Sequence, residues 1–146
     1  MPPSFRPSIG LQLMSTTKAV SRALDSALAA EGSSLPIWLI MISLKTRRLS
    51  NQRELAEAVG VRGATLTHHL NTMEHEGLLT RRRDPANRRV HLVELTEKGE
   101  ATFIRLRKAA GAFDRRLRAG LNAEEIAAIE HVLAKLDDNV RRGRPT

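Results

Sequence analysis

The chain has 146 residues, no cysteine, 3% aromatic residues and a formal net charge of +8. That length supports one domain with a real core. The lack of cysteine excludes disulfides, cysteine-ligated zinc and thiol redox sensing, and the scarcity of rings argues against a single-strand binder that stacks bases on aromatic side chains.

In chain order, residues 1–7 hold three of the six prolines and read as a flexible end. From Ser8 to Glu31 the apolar positions Ile9, Leu13, Val20, Leu24 and Leu28 recur at helical spacing, and Gly32 stops this first long helix. Pro36 suits the first turn of a second helix, IWLIMISLKTRR. It is apolar on most sides and is expected at the centre of the core. The longest apolar run, LPIWLIMISL, stops at Lys45, short of a membrane span. The start MPPSFRPS lacks the charged-then-apolar pattern of a signal peptide. The expectation is a soluble, cytoplasmic protein.

Next comes NQRELAEAVGVRGATLTHHLNTMEHEGLL. Asn51 suits a helix cap, with Glu54 in the capping-box position. Leu55, Ala56 and Val59 form a short apolar face before Gly60 ends the helix. A second helix, Gly63 to Glu76, carries the stripe Leu66, Leu70 and Met73 and closes at Gly77. Two short helices around a glycine-containing turn form the helix-turn-helix pattern. With the stripe inward, Thr65, Thr67, His68 and Thr72 lie wholly or partly outward, where hydroxyls and a histidine can bond phosphates or base edges. Plain solvation of the helix is the alternative.

Leu78–Arg83 and Val90–Leu95 read as two strands, although VHLVEL alternates only weakly. Between them, Asp84-Pro85 initiates a turn and Asn87 tolerates turn geometry. A hairpin directly after a helix-turn-helix is a wing. The charge concentrates here. Residues 81–89 hold five arginines against Asp84, a net +4; the tail RRGRPT holds +3, leaving +1 for everything else. A clustered patch on a near-neutral body is the footprint of a polyanionic partner. Arg81, Arg82 and Arg83 alternate along a strand, so at most two share a face. Asp84 suits a bidentate pair with an arginine that would stiffen the tip.

Thr96 caps a further helix with the stripe Phe103, Leu106, Ala110, Phe113 and Leu117. Asn122 opens the last one, with Glu125 in the capping-box position and the stripe Ile126, Ile129, Leu133, Leu136 and Val140. Steps of three and four suit packing of long helices. The terminal helices are too long for a small winged helix to cover and are read as a subunit interface. The fold class is therefore mainly α with a small β wing. One domain spans 1–146, with dimerisation helices at 8–31 and 97–140, the winged helix-turn-helix at 36–96, and flexible ends at 1–7 and 141–146.

At this point the sequence resembles the MarR family of bacterial transcription regulators, over residues 8–140. ELAEAVGV, ATLTHHLNTMEHEGLL and the wing RRRDPANRRVHLVELTEKG carry the resemblance. The wing follows the family's Asp-x-x-Asp-Arg-Arg pattern and a strand ending in Leu-Thr-x-x-Gly, with Asn87 in place of the second Asp. Arg62 stands where a cap Ser is common, and Gly63 where a polar or basic residue is common. The resemblance implies a homodimer on palindromic operator DNA, and release by a small phenolic or other anionic aromatic ligand. It puts the second Arg of the pattern, Arg89, in the minor groove with Arg88 beside it. The candidate DNA-binding set is thus Arg62, Thr65, Thr67, His68, Thr72, Arg81, Arg82, Arg83, Asp84, Arg88 and Arg89.

Trp38, Met41 and His69 are candidate ligand-pocket residues, with core packing the plainer reading of each. The histidines lack mutual metal-ligand spacing. No phosphate loop, nucleophile elbow or helix with paired metal ligands is present. Neither an enzyme, a metal nor a cofactor is expected. The competing reading is an architectural protein that coats DNA without sequence preference.

Overall fold

The computed structural model describes residues 6–46, 51–88 and 91–143. Its elements run α1 (Ile9–Ala29), α2 (Leu35–Thr46), α3 (Gln52–Val59), α4 (Gly63–His75), β1 (Leu79–Arg83), β2 (His91–Leu95), α5 (Glu97–Leu117) and α6 (Ala123–Arg142). They divide into two compact units, Met1–Gly111 and Ala112–Thr146.

In the first unit, Ser8 caps α1 by accepting a hydrogen bond from Leu11 N at 3.2 Å. Only Leu28, near the far end of α1, is buried. Asp25 ties α1 to the next helix by accepting from Leu35 N at 2.8 Å. Pro36 sits in the first turn of α2, where its missing N–H leaves no bond unmade. Trp38, Ile40, Met41 and Ser43 are all buried, which bears out the central place expected for α2. Of the helix expected through Arg48, the last two residues lie outside the described residues.

The Asn51 side chain caps α3, accepting from Arg53 N and Glu54 N at 2.8 and 3.4 Å. Gly60 ends it with φ 77°, a left-handed conformation that costs glycine little, and donates to Ala56 O at 2.9 Å. Three residues later α4 begins, burying Leu66, Leu70 and Met73. The strands pair antiparallel, with Leu79 opposite Leu95 and Arg81 opposite Val93. Leu79 and Val93 are buried and Glu94 is exposed, so the core face of the wing is the Leu79, Val93 and Leu95 side. Leu92 forms a bridge with Asn51, and this second attachment explains why β2 alternates so weakly. The first strand begins one residue later than the sequence suggested, and Val90, the expected start of the second, lies outside the described residues.

Thr96 starts α5: its hydroxyl accepts from Gly99 N at 3.0 Å and donates to Gly77 O at 2.5 Å. A Cβ on Gly99 would lie 1.9 Å from Leu78 O, so α5 and the wing root approach as closely as backbone allows. Along α5 burial fades from Phe103 and Leu106 through half-buried Ala110. In the second unit, Asn122 and Glu125 form the expected capping box at 2.8 and 3.2 Å. No residue of α6 is buried.

Candidate nucleic-acid interface

The outer face of α4 presents Thr65, His68 and Thr72 to solvent, with Thr67 half-buried. Two of the hydroxyls are partly committed. Thr67 donates to Gly63 O at 2.9 Å and Thr72 to His68 O at 3.1 Å. Their protons point back into the helix, which leaves oxygen lone pairs outward as acceptors. In a major groove such acceptors suit the amino groups of adenine and cytosine. Arg62 stands at the N-cap without a side-chain cap bond and is exposed. His69 is half-buried at the inner edge of the helix. A groove of about 370 Å³ runs between α3 and α4, lined by Gln52, Arg53, Glu57 and Thr67 among others.

The described wing arginines differ in their surroundings. Arg81 shares the inner face with Leu79 and Val93, and its side chain is only 18% exposed. Its Nη2 lies 3.2 Å from Glu74 Oε1 and its Nε 3.4 Å from Glu74 Oε2. Its Nη2 also donates to Asn71 Oδ1, and its backbone N–H donates to Glu74 Oε2 at 3.2 Å. These bonds to Arg81 hold the Glu74 carboxyl below its ordinary value. Arg82 pairs with Glu94 at 3.0 Å, with both side chains more than half exposed. A pair so open contributes at most about 1 kcal/mol and exchanges readily for a phosphate. Arg83 and Arg88 are exposed and form no ion pair among the described residues. Arg89 lies outside the described residues.

Asp84 was expected to brace an arginine. Among the described residues its carboxylate instead accepts from Ala86 N at 2.9 Å, while Asn87 N donates to Asp84 O at 3.2 Å. It shapes the tip through the backbone, because a short side chain at a turn reaches the next N–H but one most easily. Asn71 and Glu74 were not foreseen as part of the site. Their three-residue spacing puts them on one face of α4, yet only the fold brings β1 back across that face.

A second groove, about 480 Å³, lies between α2 and α5. Trp38 and Phe103 form its aromatic floor, stacked at 5.5 Å and 16°. Lys45 and Arg107 supply cations on its wall. Lys45 Nζ sits 5.7 Å from the Phe103 ring centre and 2.8 Å from Glu100 Oε2. Of the three candidate pocket residues, Trp38 lines this groove. Met41 is sealed in the core, and His69 stands on α4 away from it. Among the described residues no group of three His, Cys, Asp or Glu is placed to hold a metal ion. No described helix is long and apolar enough to cross a membrane.

Comparison with known proteins follows the same outline. The MarR family model matches residues 34–91, from α2 to the start of β2. The solved transcriptional regulator PA3341 is 31% identical and covers 92% of this chain and 99% of its own, with a TM-score of 0.83. The transcriptional repressor CouR, solved bound to a 23-mer DNA duplex, is 26% identical over 89% of this chain and 92% of its own, at 0.80. The uncharacterized HTH-type transcriptional regulator YdgJ of Bacillus subtilis (strain 168) is 32% identical over 90 residues. That match spans 62% of this chain and 55% of YdgJ, so the chain covers about half the length of that curated relative.

Proposed function

Because this chain belongs to the MarR family, we propose that it is a homodimeric, sequence-specific transcription regulator. It represses from palindromic operator DNA and is released by a small aromatic or anionic ligand. One juxtaposition carries this reading. The exposed row Thr65, His68 and Thr72 on α4 stands beside a wing whose Arg83 and Arg88 are exposed and, among the described residues, form no ion pair. The helix suits the major groove and the wing arginines a narrow minor groove, because a guanidinium sheds water readily and stays charged. In this reading Arg62 and Arg53 serve phosphates, while Arg88 and Arg89 enter the minor groove. CouR, a relative solved bound to a DNA duplex, supports duplex DNA as the partner.

The second copy is supported by uncovered apolar surface. Ile129, Leu133 and Val140 of α6 are 51%, 43% and 70% exposed, and Ile9 and Met14 of α1 are 66% and 59% exposed. Side chains of this kind, repeated along a helix face, mark an interface. The effector reading is supported by the α2–α5 groove, where stacked Trp38 and Phe103 suit a ring and Lys45 and Arg107 suit its anionic group.

Recovery of genomic fragments by the purified protein at physiological salt tests the reading. A few enriched sites sharing a palindrome are expected. Even coverage of the genome would overturn it and favour a protein that coats DNA without preference.

A further inference from the structure

We propose that Arg81 is a positioning residue that locks the wing to the recognition helix through Glu74 and Asn71, and is not a phosphate contact. The proposal rests on the DNA-binding reading above and assigns one of the wing's five arginines a different task. Among the described wing arginines, Arg81 is the one that is half-buried, opposite Val93 on the buried side of the hairpin. Its side chain is 18% exposed, against 55% for Arg82. Its guanidinium meets both Glu74 oxygens and the Asn71 amide, and its backbone N–H meets Glu74 as well. One carboxylate thus holds both the main chain and the side chain of β1. To reach a phosphate, Arg81 would abandon these bonds and leave the Glu74 charge unpaired beside a polyanion.

The lock has a physical purpose. A two-stranded hairpin is marginally stable in water. Its tip arginines contribute to binding only if the wing already stands at the right angle to α4, because ordering a loose arm at binding subtracts from affinity. Asn71 and Glu74 sit on α4 three residues apart and fix that angle from the recognition helix itself. The distance between the groups meant for the two grooves is then set before DNA arrives.

Glu74→Ala separates the two roles by sign. Alanine favours helix, so α4 is retained. As a lock, Glu74→Ala loosens the wing and weakens DNA binding by about tenfold, the scale of one charged hydrogen bond. As a phosphate contact, Arg81 would be freed and a repelling charge removed, so binding would tighten. Arg81→Lys gives the second arm. A lysine serves a phosphate nearly as well, but it cannot span both Glu74 oxygens and Asn71; the lock therefore predicts a similar loss with helix content unchanged. Hydrogen exchange at the Arg81 amide, measured without DNA, reads the lock directly. Protection is expected in the unsubstituted protein and lost in Glu74→Ala. Unchanged protection, or unchanged or tighter binding by Glu74→Ala, overturns the proposal. Loss of protection with no palindrome preferred even by the unsubstituted protein leaves the lock standing and rejects the regulator.

Discussion

Helices α4 and α6 carry the same pattern and have different surroundings. Leu66, Leu70 and Met73 on α4 step by four and three, and all three are fully buried. Ile126, Ile129, Leu133, Leu136 and Val140 on α6 step the same way, and none is buried. For α4 the cover comes from a core shared with Met41, Leu55, Leu79 and Val93. For α6 we assign the cover to a second copy. The contrast shows that hydrophobic period reveals which face is apolar, while the rest of the fold decides what lies against it.

The sharpest way to break this contrast is Leu133→Glu. A carboxylate in each half of a two-fold apolar contact is unpaired and desolvated, so the dimer should be lost at micromolar concentration while helix content stays. A variant that still sediments as a dimer would place the interface elsewhere. The matching change on the covered side, Leu70→Ala, should remove about 2–5 kcal/mol of stability by leaving a cavity. Denaturant unfolding at matched protein concentration reads it, and a loss below about 1 kcal/mol would mean the site is not tightly packed.

Gly99→Ala should come next in size. Its Cβ would meet the Leu78 carbonyl at 1.9 Å, and separating α5 from the wing root should remove about 1–3 kcal/mol. The melting temperature would reveal a tolerated methyl by not moving. The smallest effect is that of pH. Glu74 titrates below its ordinary value of 4.5, chiefly through its hydrogen bond from Arg81. A carboxyl lowered on folding stabilises the fold fully above its unfolded value, and this contribution is lost as pH falls through the lowered one. Stability from pH 5 downward should therefore decline less steeply in Glu74→Gln than in the unsubstituted protein, and parallel declines would show that Glu74 is not linked to folding.

Much of the fold was legible because its signals are local. Asn51, Thr96 and Asn122 each act as the expected cap, a job decided by one side chain at one position. The order of helix, helix, helix-turn-helix, wing and long helices follows from period and punctuation alone. The site was legible only in part. Arg81, Arg82 and Arg83 are identical letters, and their different surroundings depend on which strand face meets Val93 and where Glu74 stands. The ligand pocket was read from Trp38 and Met41 on α2 and His69 on α4, and only Trp38 lines the α2–α5 groove. Helix α2 is apolar on most sides, so period cannot say that Trp38 lines an opening while Met41 is sealed. Lys45, Phe103 and Arg107 meet there only in space, although the four-residue step from Phe103 to Arg107 marks a shared helix face.

The most direct test of the central claim is equilibrium binding of the intact protein to a recovered palindromic fragment. A scrambled duplex of the same length, at the same salt, is the control. A sequence-specific dimer gives two chains per duplex and a preference of about 1,000-fold or more for the palindrome. Equal affinity for the two duplexes would contradict specific regulation.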